Sequence, residues 1–171
     1  MKATTVSVLV LVFLSLGSRV WGSSALSPEI QVQMTHLELA ADLDYEEGGL
    51  EGVARMRIEN VSDSPTDEVP LILNRLMSLT GARDEAGRAL GLMQDVRTLI
   101  DEPKKQVNHA VVSLSEPLDP GGSMTLELGY SGYLVGYTET GSSYIRDSID
   151  EEFSILRVDA HAFPSIGVLS W

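Results

Sequence analysis

Residues 53–61, VARMRIENV, decide the fold class of this 171-residue chain because their apolar and charged side chains alternate. The apolar set is Ala54, Met56 and Ile58, and the charged set is Arg55, Arg57 and Glu59. A period of two places one set on each face of an extended backbone, which is typical of a β-strand with one buried face. The stretch therefore predicts a half-buried strand.

The segment before this strand alternates as well, but it changes phase near His36. Ile30, Val32 and Met34 share one phase, and Leu37 and Leu39 share the other. Three glycines in residues 44–52, DYEEGGLEG, favour a turn between the two runs. The pattern predicts a long hairpin with a β-bulge near His36. A short helix over the same segment is the alternative, because the spacing of four residues also fits a helix: Ile30, Met34, Leu37 and Ala41.

Further strands and turns follow toward the C-terminus. The run 68–79, EVPLILNRLMSL, predicts a strand buried on both faces with Pro70 at its entrance. Residues 83–90 predict a turn, and 107–114 and 123–130 predict the arms of a hairpin around the DPGG turn at 119–122. The last predicted strands are at 144–145 and 153–158. Seven or eight short strands and no helix predict an all-β fold, an antiparallel β-sandwich.

The N-terminus has the layout of a secretory signal peptide. A basic residue at Lys2 precedes an apolar run from Val6 to Leu16, and small residues follow at 22–25. The run is shorter than the roughly 20 residues that span a bilayer. We expect a signal peptide at 1–22, a single domain at 23–171, a secreted or periplasmic location and no other membrane segment. Cleavage after Ala25 and an uncleaved anchor are the alternatives.

Composition limits the partners and the chemistry. The formal net charge is −13, and removal of residues 1–22 leaves 10 basic and 25 acidic residues, a charge of −15. Such a chain repels nucleic acid and anionic lipid. The absence of cysteine excludes thiol catalysis and cysteine metal sites.

Chemical motifs are scarce. The three histidines, His36, His109 and His161, lack the four-residue spacing of an H-E-x-x-H zinc motif. The acidic residues Asp147, Asp150, Glu151 and Glu152 could hold a metal, although a solvated loop explains them more simply. We therefore predict no catalytic residue, no metal site and no cofactor in this chain. The sequence Asn60-Val61-Ser62 is a possible glycosylation site at Asn60.

Residues 126–164 carry a resemblance to a known family. A strand runs into Tyr130, Gly132 and Leu134, a loop follows with Gly141 and Tyr144, and a last segment leads to Phe163 and Pro164. Upstream, LEGVARMRIENVSD and LSEPLDPGGSMTLEL add similar strands and turns. Over roughly residues 30–167, this order resembles the N-terminal β-domain of the aminopeptidase N family of zinc metallopeptidases, the gluzincin aminopeptidases.

The resemblance implies a saddle-like β-sandwich that covers one side of a separate catalytic domain. Zinc would belong to that domain, bound by its H-E-x-x-H motif, and Phe163, Pro164 and Ser165 would lie on the substrate-side strand. Ser165, Ile166 and Gly167 depart from the family, which has Cys, Gln or Glu, and Asp there. An arginine often found just before Phe-Pro is also absent, since Ala160 and His161 occupy that place.

The resemblance also implies a function. We expect a non-catalytic N-terminal domain that supports and caps the active site of a missing catalytic domain, its partner, and meets peptides through it. The domain is expected to be incomplete at its C-terminal end, because family domains continue into a further apolar strand. An unpaired sheet edge would follow. The alternative is a stand-alone extracytoplasmic binding module, which would use Tyr137 and Tyr144 in the loop 137–144.

Overall fold

The structure is a computed structural model that describes residues 5–12, 30–134, 149, 151–152, 154, 156–158 and 160–169. The described part contains nine β-strands and no helix. It therefore has no helix that is long and apolar enough to cross a membrane. The strands are β1 (Thr5–Val12), β2 (Val32–Asp44), β3 (Gly49–Asn60), β4 (Thr66–Asn74), β5 (Met77–Arg83), β6 (Gly91–Thr98), β7 (Gln106–Leu118), β8 (Ser123–Tyr133) and β9 (Ser165–Ile166).

The strands form two antiparallel sheets, which confirms the predicted β-sandwich. Sheet A has the order β1-β2-β3-β8-β5, and sheet B has the order β6-β7-β4-β9. Apolar side chains from both inner faces fill the space between them. Each fully buried leucine contributes about 1.5–3 kcal/mol to the free energy of unfolding. The largest fully buried side chains are Tyr130, Leu37, Leu39, Met56, Ile58, Leu71, Leu73, Met77, Leu126 and Leu128.

The predicted hairpin of β2 and β3 is present, and its bulge is confirmed between Met34 and His36. The bulge explains the change of phase, since one extra residue returns the apolar side chains to the core face. At the other end, the Oδ1 atom of Asp44 accepts hydrogen bonds from the N–H groups of Glu46 and Glu47. The helical alternative for this segment is wrong.

The prediction of one strand over residues 68–79 is wrong, because the run forms β4 in sheet B and β5 in sheet A. The chain turns at Arg75 and Leu76, where the N–H of Leu76 donates to Oδ1 of Asn74. A continuous apolar run looks the same for one long strand or for two short ones. Pro70 lies inside β4 rather than at its entrance, and its carbonyl accepts from the N–H of Gly167.

The predicted hairpin around residues 119–122 is also wrong, although its two strands are present. β7 pairs with β4 and β6, whereas β8 pairs with β3 and β5, so the turn carries the chain from sheet B to sheet A. The end of β3 holds this turn in place. The N–H of Gly121 donates to the carbonyl of Asn60, and the N–H of Asn60 donates to the carbonyl of Gly122.

Two more differences concern the edges of sheet B. β6 was not predicted, because it is almost entirely exposed and lacks an alternating apolar pattern. Of the strand predicted at 153–158, the described residues 154 and 156–158 belong to no strand. The edge is formed instead by β9, which pairs with Leu71 and Ile72 of β4. The strand predicted at 144–145 lies outside the described residues.

Gly132, near the end of β8, provides a test of the packing between β8 and β5. Its φ is 156°, and a Cβ atom there would overlap the carbonyl oxygen of Leu76. We expect Gly132→Ala to lower the free energy of unfolding by about 2–4 kcal/mol through strain and overlap. Urea denaturation measures the change. Gly81→Ala is the matched control, because a Cβ at Gly81 meets no atom within 4 Å. Equal losses in both variants would contradict this account.

Candidate functional site

The predicted substrate-side residues Phe163, Pro164 and Ser165 lie inside the fold. Phe163 is 4% exposed, Ser165 is 7% exposed and Pro164 is buried. Phe163 packs in the main core, while Ser165 begins β9 and its Oγ lies 3.5 Å from the carbonyl oxygen of Ile72. Their side chains therefore support the sandwich, and contact with a substrate stays a prediction.

The segment before Phe163 is fixed to the end of β4 by Asn74. The backbone N–H of Asn74 donates to the carbonyl of His161 at 2.6 Å, and its Nδ2 donates to the carbonyl of Ala160 at 3.2 Å. His161 has a φ of 52°, a left-handed conformation that is uncommon for a residue other than glycine. Asn74 is thus a positioning residue that the sequence analysis missed. The only signal was a polar residue that interrupts an apolar run.

An apolar groove of about 690 Å³ lies beside this segment. Residues at the start of β2 in sheet A and residues of β9 in sheet B line it, and its lining contains no carboxylate, lysine or arginine. Such a groove fits apolar groups rather than ions. The lining residues are Ile30, Val32, Gln33, Met34, Val61, Ile72, Val158, His161, Ser165 and Ile166.

A cleft of opposite character lies at the turn between β2 and β3. It has a volume of about 370 Å³, and four carboxylates line it, those of Asp42, Asp44, Glu47 and Glu51. Tyr133, which is 52% exposed, also lines the cleft. The negative potential of these carboxylates repels anions and attracts basic groups. Cleft and groove lie at different places on the sandwich, and their linings share no residue.

Neither cavity forms a metal site. Within the described part of the chain, no three His, Asp or Glu side chains come together in a way that could hold a metal ion. The three histidines lie apart on β2, on β7 and before Phe163, and Nε2 of His36 is 3.3 Å from Oε1 of Glu38. The described residues therefore do not fit the zinc ion that the family resemblance implies for its catalytic domain.

Some residues of the predicted metal cluster and of the predicted recognition loop lie outside the described residues. Asp147 and Asp150 of the acidic cluster lie outside the described residues, as do Tyr137 and Tyr144 of the loop 137–144. Glu151 and Glu152 are described, and both are exposed. Metal binding by this cluster and recognition through this loop stay predictions.

Asn60, the possible glycosylation site, is 1% exposed and holds several loops together. Its Nδ2 donates to the carbonyls of Ser64 at 2.8 Å and Leu118 at 2.7 Å. Its Oδ1 accepts from the N–H and the hydroxyl of Ser62. The atom that would carry a glycan is therefore already used inside the folded domain, and glycosylation stays a prediction.

Two variants separate the structural role of Asn60 from a glycan, because each removes the glycosylation motif. Asn60→Asp replaces the Nδ2 donor with a buried oxygen that faces two carbonyls, so we expect a loss of about 2–4 kcal/mol in the free energy of unfolding. Ser62→Ala keeps that donor and should cost about 0.5–1 kcal/mol. Thermal or urea unfolding of both variants from one host measures the difference. Equal stability of the two variants would contradict the structural role.

Asp84 is a buried carboxyl that lies against an arginine. Burial of this carboxyl disfavours its charged form, but hydrogen bonds and charge from Arg88, with the N–H of Ala86, lower its pKa below the ordinary value of 3.8. The Nε atom of Arg88 lies 2.7 Å from Oδ2 of Asp84. Burial also raises the pKa of Tyr130 to about 12, so its hydroxyl stays neutral. These groups support the fold and line neither cavity.

The lowered pKa of Asp84 gives a pH dependence with a definite sign. Its stabilising contribution is complete above the unfolded pKa, about 3.9, and is lost as the pH falls through the lower folded pKa. We expect Asp84→Asn to be less stable than the unmodified chain at pH 7. The difference should narrow below about pH 4. Urea denaturation from pH 7 to pH 3 measures it, and a constant difference over that range would contradict the assignment.

The sequence matches no protein-family model and no curated protein. Among solved structures, it is similar to an M1 zinc metallopeptidase from Deinococcus radiodurans, with 22% identity, a TM-score of 0.37, and coverage of 50% of this chain and 16% of that chain. A mutant of that enzyme bound to a Tyr-Ser-Ala substrate gives 21% identity, a TM-score of 0.39, and coverage of 50% and 16%.

A two-domain M1 zinc metallopeptidase mutant bound to L-tryptophan gives 22% identity and a TM-score of 0.39. It is covered over 17% of its length by 51% of this chain. The chain thus spans less than a fifth of each of these metallopeptidases. At this level of identity and superposition, the likeness assigns no activity to the chain.

Proposed function

We propose that this chain is the non-catalytic N-terminal β-sandwich of an extracytoplasmic zinc aminopeptidase-like metallopeptidase. The observation that carries the proposal is the place of the resembling motifs in the fold. Tyr130 and Gly132 lie on β8, between β3 and β5, and Phe163 and Pro164 lead directly into β9 at the edge of sheet B. The resembling motifs thus lie on a central strand of sheet A and at an edge strand of sheet B, and this placement supports the proposal.

The proposed role is to support and cap an active site that another part of the enzyme contains. Zinc is proposed for that catalytic part, where it would activate a water molecule for attack on a peptide bond. This chain would contribute a rigid wall and a negative potential. The charge of −15 that remains after removal of residues 1–22 favours peptides with a positively charged N-terminus over anions. Export is part of the proposal and rests on the signal-peptide pattern of residues 1–22.

The native protein tests this proposal directly. We expect its mass to exceed the 18.5 kDa of this chain and its transcript to encode an H-E-x-x-H motif in the same reading frame. We also expect the purified 171-residue chain to release no product from aminoacyl-p-nitroanilides, with or without added zinc. The longer native protein should hydrolyse them and should lose that activity on treatment with a zinc chelator.

A different result would favour the binding module. A native protein that ends at Trp171, stays monomeric in light scattering and unfolds in one cooperative transition would overturn the metallopeptidase assignment. Its function would then lie in its own surface. Hydrolysis by the isolated chain would contradict both functions.

A further inference from the structure

The outer edge of β2 is covered by a segment from the start of the chain. β1 pairs with it in antiparallel register over eight residues, from Thr5 opposite Asp44 to Val12 opposite Leu37. The opposite edge of β2 pairs with β3 along its whole length. The outer edge of β2 therefore accepts a complete strand, and β1 is the only described strand that reaches it.

The segment that covers this edge also belongs to the predicted signal peptide. β1 spans Thr5–Val12, and the apolar run of the signal peptide begins at Val6 and ends at Leu16. Removal of residues 1–22 would take β1 away and expose the N–H and C=O groups of those alternate residues between Leu37 and Asp44 that face away from β3. An exposed edge of that length is a template for another strand.

We propose that the outer edge of β2, from Leu37 to Asp44, is a strand-acceptor site in the processed chain. It takes an extended segment of a partner protein in the antiparallel register that β1 shows. This inference rests on the removal of residues 1–22 that the proposed function includes. It adds an interaction surface that is independent of any zinc chemistry.

The two faces of β2 define the segment that fits. Toward the core, β2 presents four buried apolar side chains, those of Leu37, Leu39, Ala41 and Leu43. Directly opposite residues of an antiparallel pair lie on the same face of the sheet. The partner segment therefore needs an apolar residue at every second position, as residues 5–12, TVSVLVLV, have at Val6, Val8, Val10 and Val12.

Charge selects the residues between those apolar positions. Asp42 and Asp44 lie on the outer face of β2 and line the acidic cleft with Glu47 and Glu51. The residues opposite Asp44 and Asp42 are Thr5 and Ser7, which carry no charge. Lysine or arginine at these two positions would form cross-strand pairs worth about 0.2–1 kcal/mol each, and acidic residues would be repelled. The partner segment is therefore apolar and basic, or apolar and uncharged.

A second copy of this chain fits the edge poorly in the two registers that keep most of residues 37–44 paired with one another. If two β2 strands pair antiparallel with Ala41 at the centre, Glu38 of each copy lies opposite Asp44 of the other. If Ala40 is at the centre, Glu38 of each copy lies opposite Asp42 of the other. Like charges directly opposite one another are destabilising, and each chain is already strongly acidic. These registers favour a partner of different sequence.

The first experiment uses the chain as a secreting host exports it. Mass spectrometry should show that residues 1–22 are absent, and hydrogen exchange should show fast exchange at outward-facing amides of residues 37–44. The probe is a synthetic peptide that carries residues 5–12 between pairs of lysines. We expect it to bind one to one and to slow that exchange. The unprocessed chain should bind it at least about tenfold more weakly, because β1 occupies the edge.

Controls separate strand pairing from general apolar or ionic binding. Two variants of the peptide carry methyl groups on alternate amide nitrogens, one variant on each edge of the strand. The variant whose methyl groups face β2 should lose binding, and the other should keep it.

A peptide with lysine in place of Thr5 and Ser7 should bind about three- to tenfold more tightly at low salt. Asp42→Asn combined with Asp44→Asn should remove this preference. The turn should survive the double substitution, because an asparagine side chain at position 44 still offers an Oδ1 acceptor to the two backbone N–H groups.

The matched protein control is Asp67→Asn with Glu116→Gln, which removes two exposed acids on β4 and β7. It should keep the preference for the lysine peptide.

The inference is overturned if the exported chain retains residues 5–12, if the probe fails to bind, or if both methylated peptides bind equally well. Dimerisation of the processed chain through residues 37–44 would overturn the choice of partner. None of these results depends on an H-E-x-x-H motif, so they are distinguishable from failure of the metallopeptidase assignment.

Discussion

Buried asparagine side chains lie near the points where the chain passes between the two sheets, and two of them, Asn60 and Asn108, join one sheet to the other. Asn60 ends β3, Asn74 ends β4, Asn108 lies on β7, and each is less than 5% exposed. Their Nδ2 atoms donate to distant carbonyls, for example those of Leu118 and, at 2.7 Å from Asn108, Met77. A buried unpaired carbonyl costs about 1–3 kcal/mol. The amides satisfy these groups and thereby fix the crossings.

The position of the apolar groove follows from one of these asparagines. Asn74 binds the backbone of residues 160–161, so the chain enters Phe163 and β9 at a fixed place beside the apolar groove. The acidic cleft depends on a different element, the turn between β2 and β3, which Asp44 holds through two backbone N–H groups. One cavity is therefore apolar and tied to sheet B, and the other is acidic and tied to sheet A.

The edges of the sandwich are treated differently. Between β5 and β6, Gln94 accepts from the N–H of Leu79 at 2.9 Å and donates to its carbonyl at 2.7 Å, so a side chain replaces a neighbouring strand. At the outer edge of β2, the neighbour is a strand, β1, and its removal would leave this edge unpaired over residues 37–44, while β3 still pairs with the other edge. The β2 edge is therefore the one that we propose as a strand acceptor.

The sequence by itself determined four of the nine described strands, because a period of two needs only the chain's own side chains. Alternation predicted β2, β3, β7 and β8, and the change of phase near His36 predicted the bulge. It could not determine which strands pair, because the same alternation suits any neighbour; residues 68–79 and the two strands around residues 119–122 were assigned wrongly for that reason. Only the tertiary structure decided the roles of Asn60 and Asn74, since a buried amide is recognised by the distant carbonyls that it contacts. It also placed Thr5–Val12 along β2, because pairing between segments so far apart in the chain leaves no local signal.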